Sequence, residues 1–146
     1  MEFSNKKALI EWIGNTLGNG NEMMSESIKN TLINREYIES TIVTEENILL
    51  LHGKTKVYDQ LTFGVIRLKS SITEANYHDE NIQVKNVIVM LAHEDASQYE
   101  IDTLSYISKS LIERESFVES LVNDGKETFK ENLVTVLNDY MRERII

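Results

Sequence analysis

The chain has 146 residues, a length suited to one core, and 41% of them are hydrophobic, enough for a globular interior. Cysteine is absent, which excludes disulfides and cysteine-bound zinc and fits a cytoplasmic protein in a reducing setting. A net charge of −9 repels phosphate backbones, so direct nucleic-acid contact is not expected, whereas a partner with a basic docking face is.

Leu9, Ile10, Trp12, Ile13 and Leu17 recur at helical spacing and predict a first helix that stops at Gly18 to Gly20. Between Met1 and Leu17 no apolar stretch is long enough for a signal peptide. No segment of the chain is apolar for long enough to span a bilayer, so no membrane contact is expected. Asn21 is placed to cap a second helix carrying Met24, Ile28 and Leu32. The polar stretch from Asn34 to Asn47 reads as a short helix tail and a loop. Ile48 to Leu51 is fully apolar and short, the pattern of a buried strand. Thr62 to Leu68, with Phe63, Val65, Ile66 and Leu68, predicts a second strand, and the polar stretch Ser70 to Gln83 a hairpin-like or disordered loop. Val84 to Ala92 predicts a third strand, so apolar in its second half that both faces should be covered. Ile101, Leu104, Ile107 and Leu111 form a helical stripe. Phe117, Val118, Leu121 and Val122 belong to a short piece that Gly125 ends, and Phe129, Leu133, Val136, Leu137 and Tyr140 mark a last helix. Helices, then strands, then helices predicts an α/β fold in a single domain, residues 1–146, with helices on both faces of a small buried sheet.

The chemistry-bearing segment is Leu50-Leu51-His52-Gly53-Lys54, where an apolar run ends abruptly in a histidine. An imidazole at a strand end can offer one nitrogen to a phosphoryl group, and the glycine beside it lets backbone approach closely. A structural alternative is that His52 simply closes the strand by bonding a backbone group. His93 follows the third strand. It either approaches His52, because sites in open α/β sheets gather at strand ends, or is an exposed loop histidine. His78, beside Asp79 and Glu80, reads as solvated. The histidines and carboxylates lack tight ligand spacing, and no metal site is expected. Ser97-Gln98-Tyr99-Glu100 has the S-x-x-E pattern of a capping box that starts a helix.

Three segments carry a family resemblance: Arg35-Glu36-Tyr37 through His52-Gly53, the strand Phe63 to Leu68, and Val87-Ile88-Val89-Met90-Leu91-Ala92 before a polar turn and helix. Together they resemble the enzyme IIA domain of the fructose–mannitol class of the bacterial phosphoenolpyruvate-dependent sugar phosphotransferase system. The resemblance runs from about Lys6 to the C-terminus. Val89 to Ala92, Leu104-Ser105-Tyr106-Ile107-Ser108 and Leu111-Ile112-Glu113 look closer to a particular subgroup. This is the IIA-like domain ending certain transcriptional activators and antiterminators that carry duplicated phosphorylation-responsive (PRD) domains. The resemblance implies a mixed sheet sandwiched between helices. It also implies that His52 accepts a phosphoryl group from the histidine-containing carrier protein. Arg35 matches the family's active-site arginine, with one residue inserted between it and the histidine. The chain departs from the transporters at Leu51, where they have proline, and at Glu100, where they have a second histidine. It departs from the regulators at His93, where they often have proline.

Phosphoryl transfer to histidine needs an in-line donor, a neutral nitrogen and stabilised equatorial oxygens, and no cofactor. An imidazole with a pKa of about 6.5 is largely neutral at pH 7. Its other nitrogen must be fixed by a hydrogen bond so that the right tautomer faces the donor. In that arrangement Arg35 supplies a planar fork for phosphate oxygens, Gly53 gives main-chain N–H groups access, and Lys54 adds positive charge. The alternatives are a surface Arg35 paired with Glu39 and a solvated Lys54. Glu100 reads as a cap rather than a carboxylate near the site. The expected function is a phosphorylation-sensing module, in which phosphate on His52 changes contacts with other domains of the same regulator. The alternative is a IIA subunit passing phosphate to a IIB domain during sugar uptake, against which the absent second histidine counts.

Overall fold

The computed structural model describes residues 2–38, 42–43, 47–58, 61–75, 80–113 and 125–145. They form two compact units, Met1–Ala96 and Ser97–Ile146. The first contains α1 (Lys6–Gly18), α2 (Glu22–Ile38), β1 (Ile42–Val43), β2 (Ile48–Thr55), β3 (Thr62–Ala75) and β4 (Asn81–His93). The second contains α3 (Gln98–Glu113) and α4 (Lys126–Ile145).

Local signals set the first two helices. The Asn5 side chain accepts from Ala8 N–H at 2.8 Å and starts α1. Asn19 ends it in the left-handed conformation, φ 47° and ψ 50°, with its N–H on the Asn15 carbonyl. Asn21 Oδ1 then accepts from Met24 N–H at 3.1 Å and caps α2, as its sequence position predicts. Helix α2 continues through Ile38, so Arg35 is helical and not part of a loop. The two helices pack closely because Gly14 and Gly18 carry no side chain. A Cβ on Gly14 would sit 2.5 Å from Lys29 Cγ, and one on Gly18 would collide with Ser25 Oγ.

The sheet order is β1-β2-β4-β3, with β2 and β4 parallel and the outer pairs antiparallel. The α/β class and the mixed sheet are therefore as read from the sequence. Leu49 and Leu51 of β2 and Val87, Val89 and Leu91 of β4 alternate onto one face. There they form one core with Leu9, Ile10 and Ile13 of α1 and Ile28 and Leu32 of α2. The other face of the two central strands is also buried at Ile48, Ile88, Met90 and Ala92, which is why β4 is apolar on both sides.

Two strand ends are corrected. The stretch Ser70 to Gln83 takes the hairpin alternative, but with longer strands than expected: β3 runs to Ala75 and β4 begins at Asn81, with a register shift between Arg67 and Ile72. Its polarity belongs to an outward face. Ser71 Oγ donates to Gln83 Oε1 at 2.9 Å and Gln83 Nε2 donates to Thr73 Oγ1 at 2.8 Å, while Ile72 and Val84 turn inward. Strand β2 likewise does not end at Leu51, so His52, Gly53 and Lys54 are themselves strand residues.

In the second unit α3 and α4 pack together around Ile107, Phe129 and Val136. The Tyr99 hydroxyl donates to Met141 Sδ at 2.9 Å. The short apolar piece Phe117 to Val122 and His78 lie outside the described residues.

Candidate functional site

Strand alternation decides which way each residue after Leu51 faces. Leu51 points into the α1–α2 core, so Gly53 shares that side, and His52 and Lys54 take the other. In the parallel register His52 stands beside Met90, and Lys54 beside Ala92. Among the described pairings β1 covers β2 at Ile48 and Leu49. The half-buried Arg35 of α2 reaches the imidazole: its Nε–H donates to His52 Nε2 at 3.3 Å.

That one bond has a chemical consequence. Guanidinium is always protonated and only donates, so Nε2 of His52 must be the acceptor nitrogen, and the ring proton sits on Nδ1. Nδ1 is buried, so of the two ring nitrogens Nε2 is the one that presents its lone pair next to a cation. This is the arrangement of a neutral nucleophile with a phosphate-matched fork already beside it.

The other expected site residues fall differently. Lys54 is exposed on the His52 face, and its carbonyl faces α2, where Thr31 Oγ1 donates to it over a long 3.5 Å. Gly53 is needed for contact with that helix: a Cβ there would lie 2.5 Å from Thr31 Cγ2. Thr31 was not apparent as a site residue from the sequence, where its only signal is helical i, i+4 spacing to Arg35. Glu39, the alternative partner of Arg35, lies outside the described residues.

His93 is neither beside His52 nor a free loop residue. Its Nδ1 accepts from Asp95 N–H at 3.1 Å, so Nε2 carries the proton and donates to the Lys56 carbonyl at 2.9 Å. The Asp95 carboxylate lies 3.8 Å from Nδ1. His93 pairs with Thr55, three residues or about 10 Å beyond the Met90–His52 pair and on the opposite face. Glu100, in the second unit, completes the capping box. Its Oε1 accepts from Ser97 N–H at 3.3 Å, and its own N–H donates to Ser97 Oγ at 3.2 Å. Among the described residues no three His, Cys, Asp or Glu side chains gather as a metal-binding group, and no helix is long and apolar enough to cross a membrane.

The model of the phosphoenolpyruvate-dependent sugar phosphotransferase system EIIA 2 family matches residues 1–136. The chain belongs to this family. The fold of this EIIA domain is similar to nitrogen regulatory protein IIA-Ntr from Neisseria meningitidis, at TM-score 0.71 and 22% identity over 93% of this chain and 89% of that one. It is also similar to mannitol IIA from Escherichia coli, at TM-score 0.60 and 21% identity over 91% and 92%. The same bacterium's mannitol IIA in complex with phosphorylated mannitol IIB matches at TM-score 0.59 and 19% identity over 92% and 91%. No curated protein gives a significant match.

Proposed function

We propose that residues 1–146 act as one cytoplasmic IIA-like domain, phosphorylated at Nε2 of His52 by the histidine-containing carrier protein. The observation that carries this reading is the Arg35 Nε–H on His52 Nε2, with the other ring nitrogen buried. The Nε2 lone pair attacks phosphorus in line. The bond from phosphorus to the carrier's imidazole breaks, and its electron pair stays with that ring. The Nδ1 proton remains on His52. As the N–P bond forms, the Arg35 guanidinium moves from the lone pair to the phosphoryl oxygens, which it matches in shape and charge. Lys54, on the same face, adds a second positive charge.

The setting we propose is a sensing module of a PRD-type sugar-operon regulator, where the charge added at His52 alters contacts with other domains of the same protein. Glu100 supports sensing over relay. Where a transporter of this class has its second histidine, this chain has a carboxylate engaged in a helix cap. The rival reading, a relay to a IIB domain, is favoured by the likeness to a mannitol IIA that forms such a complex.

Incubation with phosphoenolpyruvate, enzyme I and the carrier protein tests acceptance. Mass spectrometry under alkaline conditions is expected to place one phosphate on His52 and none on the His52→Ala variant. Undiminished labelling of that variant overturns the reading. Adding a IIB domain decides the setting, because rapid loss of label to it identifies a relay.

A further inference from the structure

Arg35 and His52 stand on different elements, and nothing in their own bond fixes the helix to the strand. One turn before Arg35, on the same side of α2, lies Thr31. Its methyl packs on the bare Cα of Gly53, the residue immediately after His52, and its hydroxyl points to the Lys54 carbonyl. We infer that the Thr31–Gly53 contact is the positioning element of the site: it sets the height of α2 above β2 and thereby places the Arg35 guanidinium on Nε2 of His52. The inference rests on the phosphoryl-acceptor reading for its kinetic consequence and on geometry alone for the placement.

The distances define how tight this contact is. A Cβ on Gly53 would stand 2.5 Å from Thr31 Cγ2, whereas carbon atoms pack at about 3.5–4.0 Å. The colliding atom is one branch of a β-branched side chain on a helix, and turning it to the other helical rotamer gives up the hydroxyl's approach to the Lys54 carbonyl. With that approach kept, relief comes from parting helix and strand by roughly 1 Å. The Arg35–His52 bond is already 3.3 Å, near the limit of a useful N–H···N contact, so such a shift breaks it. The glycine of the His52-Gly53 pair therefore serves the helix side of the strand, opposite to the imidazole, and acts on the site through Arg35.

A methyl exchange across the contact tests this. Gly53→Ala is expected to slow phosphorylation of His52 by about 10- to 100-fold, the usual effect of misplacing a positioned group by about 1 Å. Gly53→Ala combined with Thr31→Ser moves one carbon from helix to strand and keeps the hydroxyl. It is expected to recover most of the rate, and it remains informative if Gly53→Ala alone does not fold. In an Arg35→Ala background, Gly53→Ala is expected to slow the reaction no further. Nitrogen-15 NMR of the imidazole gives a readout independent of activity. The wild type and the double variant are expected to show one tautomer, protonated at Nδ1, and Gly53→Ala the mixture of a solvated ring. The inference is overturned by an unchanged Gly53→Ala rate and spectrum, by a double variant as slow as Gly53→Ala, or by a full Gly53→Ala effect without Arg35. A wild type that takes no phosphate overturns the acceptor reading instead, and the spectra then still decide the placement.

Discussion

Replacing Arg35 with alanine removes a donor that both selects the His52 tautomer and stands ready for phosphoryl oxygens. The bond is a part-buried, charge-assisted contact of 3.3 Å between residues 17 apart in sequence. A hydrogen bond to a charged group is worth about 1.5–3 kcal/mol, and about 1.36 kcal/mol corresponds to tenfold in rate. Arg35→Ala is thus expected to phosphorylate roughly 10- to 150-fold more slowly than wild type. Arg35→Lys keeps the charge and loses the planar fork, so it should recover only part of the rate. The assay is single-turnover transfer from phosphorylated carrier protein, stopped in alkali and read as phosphohistidine. Arg35 lies outside the buried core, so thermal unfolding should move little. Transfer to Arg35→Ala at the wild-type rate, with the fold intact, would refute the reasoning, because the bond on which the site is built would then do nothing.

Ser97→Ala removes an N-cap hydroxyl and is expected to destabilise the second unit by about 1 kcal/mol in thermal or urea unfolding. Glu100→Gln keeps the box and should be silent in both stability and phosphohistidine lifetime. A clearly longer lifetime would mean that the carboxylate faces the phosphate. His93→Ala leaves the exposed Lys56 carbonyl and Asp95 N–H to water and should lower stability by only about 0.5–1.5 kcal/mol without slowing phosphorylation; a slower reaction would return His93 to the site. Gly18→Ala forces a Cβ onto Ser25 and should lower the urea midpoint by the equivalent of about 1–3 kcal/mol, and an unchanged midpoint would contradict the α1–α2 packing.

What the sequence determined by itself lies within a few residues of each signal. Asn21 and the Ser97–Glu100 box each bond a group three residues away, so their helix starts are legible along the chain. The apolar runs at Ile48 to Leu51 and Val87 to Ala92 read as buried strands because burial on both faces leaves no other pattern. The strand ends were not legible, since Ser71 and Thr73 satisfy their side chains across the hairpin, against Gln83, and Ser70 and Glu74 against Glu2 and Lys6, so the stretch looks like a loop until those partners are in place. The site was half legible. His52 and Arg35 are visible as residue types through a family resemblance, but their bond spans 17 residues, the Thr31–Lys54 approach 23 and the His93–Lys56 strap 37. Such contacts are decided only when α2 settles on β2 and β4 pairs beside it. The pleat then turns His52 to one face and Gly53 to the other, and the space that Gly53 leaves open lets a helix come close enough for Arg35 to reach the imidazole.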